Sequence, residues 1–333
     1  MSRISVGDTS LTAILQRQGA FLKAEVQRAS TEMVTGKQAD LGASQRGDFS
    51  PLHAIDASLQ RLTAYRVSTR DAAFQAQAMQ TSMATLNALS GDISTTLMRS
   101  IDFPTPAQVN TAAADARGRL ATAVGALNTQ AAGRAVFAGV ETGRTPLGSA
   151  EDLLTALQTA ANGATTAGQV EAAVRGWFAD PLGYAAFYQG GAALSPVPIA
   201  PGEAADLSVT ALDPAFRETL TGFAMAALLD RGILAGDFDG RADLAHRAGL
   251  TLHVSQDSRT LLAARIGTVE AQIDAATTRN SAEDSALKIL CSDIGSVDPY
   301  EAATRLETVQ AQLESLYLIT SRVQRLSLAE YIR

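Results

Sequence analysis

The stretch PYEAATRLETVQAQLESLYLITSRVQRLSLAEYIR, residues 299–333, repeats at alternating steps of three and four. Ala302, Leu306, Val309, Leu313, Leu316, Thr320 and Val323 fall on one line of a helix. This is a heptad seam, and such a seam needs a second helix to cover it. Leu326, Leu328, Tyr331 and Ile332 lie off that line and offer a second apolar face.

A matching narrow stripe stands near the other end. Leu11, Leu15, Leu22, Val26, Ala29 and Met33 predict a helix from Leu11 to about Gly36, with Ser10 as N-cap and Gln18 interrupting the stripe. A polar stretch, Lys37 to Ser50, contains turn points at Gly42 and Gly47. Ser50-Pro51 then opens a long helix. Leu52, Ile55, Leu59 and Leu62 begin its three-four spacing, which runs through Met79, Met83 and Leu86 to Leu97. Pro104 and Pro106 stop it by Phe103. At about 1.5 Å per residue it would reach roughly 75 Å, which suits a rod better than a globule. A further helix is expected from Ala107 to about Ala131, and a short strand at Ala135 to Gly139.

The composition then changes. Six of the ten prolines and the only tryptophan, Trp177, lie between Pro146 and Pro214. Tyr184, Phe187 and Tyr188 cluster near that tryptophan. Short helices are expected at Ala150 to Ala161, Ala167 to Phe178 and Pro214 to Leu229, and a strand where Leu207, Val209 and Ala211 alternate. Heptads resume at Asp257 with Leu262, Ile266, Val269 and Ile273 and reach Val297, broken at Asn280 and Glu283.

The fold expected from this order is mainly α. Both termini form an antiparallel coiled-coil rod of long helices, with an inserted α+β domain at its tip. Residues 1–36 and 299–333 make a terminal coiled-coil region, 37–139 and 250–298 a long-helix region, and 140–249 the inserted outer domain. Five large seam residues set against the ordering of a long helix leave the two terminal helices marginal as an isolated pair. Leu11, Leu15, Leu22, Val26, Leu306, Val309, Leu313, Leu316, Val323, Leu326, Leu328 and Tyr331 are therefore read as subunit-assembly residues. The termini are expected to fray in the monomer and to order on assembly.

Chemistry is not written into the chain. Of 333 residues, 46% are hydrophobic but only 5% aromatic, which fits a thin helical core. The net charge of -7 and the lack of a dense Lys/Arg run point away from nucleic acid and anionic membrane. The one cysteine, Cys291, rules out an intrachain disulfide and reads as a small packing residue. His53, His246 and His253 have no second ligand at zinc spacing. Asp237-Phe238-Asp239-Gly240 lacks the later ligands of a calcium loop and reads as a polar turn. No phosphate loop, nucleophile elbow or acid/base pair can be nominated, so no catalytic, cofactor-binding or metal residue is assigned. The stretch 1–8 lacks the apolar core of a signal peptide, and no apolar run approaches the roughly 20 residues that span a bilayer.

Four places carry a resemblance. Glu32-Met33-Val34-Thr35-Gly36-Lys37 is similar to the Leu-Ser-Thr-Gly-Lys ending of the first helix in the bacterial flagellin family. Leu127-Asn128-Thr129, Gly133-Arg134 and Phe137-Ala138-Gly139 resemble the signature that precedes the variable domain in the hook-filament junction branch of that family. Ala211-Leu212-Asp213-Pro214-Ala215-Phe216-Arg217 resembles a late segment of the branch's insertion. Leu326-Ser327-Leu328-Ala329-Glu330-Tyr331-Ile332 is similar to its Ser-Leu-x-x-Tyr-Leu ending.

The resemblance implies a non-enzymatic component joining hook to filament, built as a ring of like subunits. Its partners would be another hook-associated protein on the hook side, flagellin on the filament side, and a cytoplasmic export chaperone on the C-terminal helix before export. It also implies an extracellular place in the flagellum, reached without a cleaved signal peptide. Two alternatives stand beside it. One is a flagellin-type filament subunit, against which Gln38 to Ser50 lacks the expected Arg-Ile-Asn and Asp-Asp-Ala-Ala-Gly. The other is a rod displaying a ligand-binding insertion around Trp177.

Overall fold

The computed structural model describes residues 6–102 and 105–331, with backbone alone for residues 6–10, Thr12, Gln324 and 326–331. The chain is mainly helical, with long helices and two small sheets among the described residues. It divides into two compact units, Met1–Arg61 with Ala282–Arg333, and Leu62–Ser281. Two long helices, α3 (Ser50–Met98) and α9 (Phe238–Gly295), carry residues of both.

The first unit pairs α1 (Val6–Thr35) with α10 (Pro299–Tyr331). α1 begins at Val6, so Ser10 lies inside it rather than capping it. Gly36, at a φ of 65°, ends it in the left-handed conformation that glycine adopts without a steric penalty. The polar stretch after it contains one helical turn, α2 (Leu41–Ser44), because the Asp40 carboxylate accepts from Ala43 N at 3.0 Å. Leu22, Ala29 and Ala302 are buried, and most other large side chains of the pair stay partly open.

The second unit is built around α8 (Pro214–Asp230). Its run Phe223-Ala224-Met225-Ala226-Ala227-Leu228-Leu229 is apolar on every side, and all seven residues are buried. A helix apolar all round must be surrounded. α4 (Pro106–Leu127), α5 (Ala150–Ala160) and α6 (Ala167–Ala179) pack on it. Each of these helices begins at a side-chain cap: Thr105 for α4, Ser149 for α5, Thr166 for α6 and Asp213 for α8. Met79, Met83, Leu86 and Leu97 of α3 and Ile266 and Ile273 of α9 supply further core. Polar ties hold the helices together at intervals, among them Ser82 Oγ to Ala126 O at 3.0 Å and Gln80 Nε2 to Ala263 O at 2.9 Å.

Several expectations need correction. The long helix α3 does end before Phe103, closing at Met98 with a 3-10 turn after it, Arg99–Ile101; Phe103 and Pro104 themselves lie outside the described residues. α4 ends at Leu127, where Asn128 turns to bond Leu147 through both its amide oxygen and its amide nitrogen. Of the strand expected at Ala135 to Gly139, only Ala135 pairs, as the second residue of β2 (Arg134–Ala135) against β1 (Gln130–Ala131). Phe137 instead plugs the core, edge-on to Phe216 at 5.1 Å. Leu207, Val209 and Ala211 are buried, as their alternation implies, yet they join no ladder. The second sheet comes earlier, β3 (Val197–Ala200) against β4 (Glu203–Ala205). Alternation reports a buried side; it does not report a hydrogen-bonding neighbour.

α9 also starts well before Asp257. Its first turns bury Ala242, Ala245, Ala248, Gly249 and Leu252, small residues that give a weak hydrophobic signal but allow close approach. The contact is closest at Gly249, where a Cβ would sit 2.7 Å from Met98 N and 2.8 Å from Ser94 O. Both are backbone atoms of α3 and cannot swing aside. Gly249→Ala is expected to destabilise the second unit by about 1–3 kcal/mol through forced separation of α3 and α9. Urea unfolding followed by Trp177 emission measures it; a variant as stable as the natural chain would show that the crossing has slack.

Candidate assembly surface

α1 and α10 run in opposite directions. Val297 N donates to Gly36 O at 3.0 Å, Arg305 pairs with Glu32 at 3.2 Å, and Lys23 Nζ lies 5.9 Å from the centre of the Tyr317 ring. A methyl group on Gly19 would rest 3.6 Å from Leu316 Cδ2. Residue numbers rise on one helix as they fall on the other.

The predicted assembly residues are spread along this pair. Leu22 is buried, at 5% exposure. Leu15, Val26, Leu306, Val309, Leu313, Leu316 and Val323 are each half-buried. Leu11 is exposed. The side chains of Leu326, Leu328 and Tyr331 lie outside the described residues. One helix therefore covers only part of the other's seam. The rest opens into a groove of ≈ 350 Å³ lined by Leu15, Gly19, Leu316 and Val323 among others.

The sequence reading missed a second set. Ile14 and Phe21 project from α1, Phe21 at 62% exposure, and Leu318 and Ile319 project from α10, Leu318 at 65%. Ile14 and Phe21 are seven apart and form one stripe. Leu316-Tyr317-Leu318-Ile319 are four consecutive large apolar residues, which a helix spreads around more than half its circumference. That run was the available signal: no single partner helix can cover it.

Several polar groups of the second unit find partners inside the fold. In a surface pocket of the second unit, the Glu171 carboxylate accepts from Arg175 Nε and from Arg247, each at 2.9 Å. Burial, the largest single influence, would raise its pKa; the hydrogen bonds and positive charges of the two arginines together outweigh it and hold the carboxyl below its usual value. The cluster at Trp177 is a packed core, with Phe178 edge-on at 5.2 Å and Phe187 at 6.0 Å. Tyr184 is fully buried, its hydroxyl donating to Ala211 O at 2.8 Å, and burial pushes its pKa up. His246 Nδ1 lies 2.7 Å from Met98 O, while His53 and His253 are exposed. Among the described residues no group of three or more His, Cys, Asp or Glu could hold a metal ion. Among them, too, no helix is long and apolar enough to cross a membrane.

Residues 257–332 match the family model of the bacterial flagellin C-terminal helical region. The match begins within α9 and takes in α10. It supports the bacterial flagellin family, a structural, non-enzymatic family of self-assembling components of the extracellular flagellum. No curated protein matches the chain.

Proposed function

We propose that this chain is a structural, non-enzymatic subunit that joins hook to filament in the bacterial flagellum. The observation that carries the reading is the apolar surplus of the α1–α10 pair. Leu15, Leu316 and Val323 stay half-open, and Phe21, Ile14, Leu318 and Ile319 face outward, on a chain with a flagellin-type C-terminal region. Neighbouring copies in a ring would cover that surplus. Another hook-associated protein would meet the ring on the hook side and flagellin on the filament side. Before export a cytoplasmic chaperone would cover α10.

In this reading residues 1–36 and 299–333 assemble, 37–139 and 250–298 form an antiparallel rod, and 140–249 stand outermost. Leu326, Leu328 and Tyr331 extend the assembly surface. No cofactor, metal, nucleic acid or membrane takes part.

Deleting residues 326–333 tests it in cells. The truncated protein is expected to be exported but to lose its hold on the filament, so that flagellin is shed into the medium and motility is lost. Normal filaments on motile cells would contradict the role. A second reading, a filament subunit, is favoured by the flagellin-type match itself. Supplying the chain to cells without their filament protein separates the two: long filaments point to the second, bare hooks to the first.

A further inference from the structure

Leu182 is the most open large apolar side chain of the second unit, at 86% exposure. Its loop is tightly held. Pro181 restricts the backbone just before it. Leu182 N donates to Asp180 Oδ1 at 2.9 Å, and Gly183 N donates to Asp180 O at 3.0 Å. Gly183 is pressed so closely against Trp177 O that a Cβ would not fit. The fold thus presents one leucine to water at a set position, so little ordering cost remains when it is covered.

The same unit has an open pocket of ≈ 260 Å³ built from other residues. Ala135 and Val136 are its buried part, Leu194 and Val197 its half-buried part, and Phe74 lines it at 52% exposure. Arg134 and Asp71 also line it, both exposed, and neither has an ion-pair partner among the described residues.

We propose that this pocket takes Leu182 of a second copy of the chain. The exposure of Leu182 shows that its own chain does not cover it. Shape and charge both point to a copy. An apolar knob meets an apolar pocket large enough for one aliphatic side chain. Asp180, exposed beside the knob and without a cation partner among the described residues, can meet Arg134. Asp71 repels it, so the loop enters in one orientation.

Knob and pocket are different patches, so the contact is head-to-tail and repeats from copy to copy, as a ring or a helical array requires. One leucine covers far less than the roughly 1,200 Å² of a stable interface. The contact therefore aligns copies already brought together; in this it rests on the assembly reading. It adds to that reading a contact made by the second unit alone.

Disulfide trapping on purified full-length chain tests it. Leu182→Cys and Ser195→Cys, each in a Cys291→Ser background, are mixed, concentrated and oxidised. Ser195 is exposed and lines the pocket, so its cysteine can reach one at the knob. A size tag on one variant separates the three possible dimers on a non-reducing gel. The mixed dimer is expected to exceed either homodimer roughly tenfold. Arg134→Glu in the Ser195→Cys chain is expected to cut the mixed dimer roughly threefold. Trp177 emission should show the second unit folded in every variant.

Mixed dimer at the level of random pairing overturns the proposal. So does an excess of the Leu182→Cys homodimer, which would mean that two knobs meet. In flagella isolated from cells making both variants, cross-linking of Leu182→Cys to a different protein in place of the pocket would also overturn it. None of these results touches the assembly reading, which deletion of residues 326–333 tests through filament retention. A strong mixed dimer beside normal filaments after that deletion would keep the contact and remove the reading.

Discussion

Arg259→Ala lowers the stability of the second unit by about 3–5 kcal/mol, whereas Arg259→Met stays within about 1 kcal/mol of the natural chain. Arg259 is 1% exposed and pairs with no carboxylate among the described residues. Its guanidinium donates to Asn87 Oδ1 at 2.8 Å, Thr219 Oγ1 at 2.9 Å and Ser255 Oγ at 2.6 Å, tying α3, α8 and α9 together. Burial depresses its pKa to about 10, so the charged form is disfavoured in this site. Two opposing terms follow. Hydrogen bonds and a packed aliphatic stem stabilise the fold, and the dehydrated charge offsets much of that. Alanine removes the favourable terms and leaves a void the size of a large side chain. Methionine removes the charge but refills the space.

The hydroxyls left behind are not orphaned, because Thr219 still donates to Ala215 O at 2.7 Å and Ser255 to Leu252 O at 2.9 Å. Urea unfolding followed by emission of Trp177, the chain's only tryptophan, reads this unit. A methionine variant as weak as the alanine one would mean that the guanidinium bonds, not the filled volume, hold the three helices.

Arg259 also marks where the sequence stops being readable. It lies on the seam line itself, three residues before Leu262, where a charged side chain reads as a break in an apolar stripe. Its burial depends on Thr219 arriving from α8, forty positions away in the chain, and no local pattern encodes that. Helix starts, in contrast, are local events. Thr105-Pro106, Ser149, Thr166 and Asp213-Pro214 write them into the sequence as caps, and the helices begin there.

The start of α9 was hidden for a different reason. Its buried face from Ala242 to Gly249 is made of small residues, whose value lies in close approach rather than in hydrophobicity. The α1 and α10 stripes were legible as seams. How little of them one partner helix covers was not, because coverage is a property of the pair. Glu32, read only as part of a motif, owes its burial to Ala39 and Arg305.

Phe21→Glu with Leu318→Glu weakens self-association by roughly 100-fold to 1,000-fold while leaving the monomer folded. Both side chains are mostly exposed on the α1–α10 pair, so charging them removes little from the subunit itself. If neighbouring copies cover them, each loses about 1.5–2 kcal/mol of apolar burial, or about 3–4 kcal/mol together. At 1.4 kcal/mol per tenfold, that gives the stated range, before any cost of placing two carboxylates against an apolar surface. Sedimentation velocity over a concentration series measures the association, and circular dichroism checks that helix content is kept. Leu22→Glu supplies the contrast. Leu22 is buried between the two helices, so its charge should lower helix content in the monomer before any association is tested. The two variants thus separate a surface that builds the subunit from one that joins subunits. Natural-strength association in the Phe21 and Leu318 double variant would remove these residues from the assembly surface. It would leave four large apolar side chains facing water without a reason, on a chain that elsewhere buries residues such as Phe137, Phe216 and Phe223 completely.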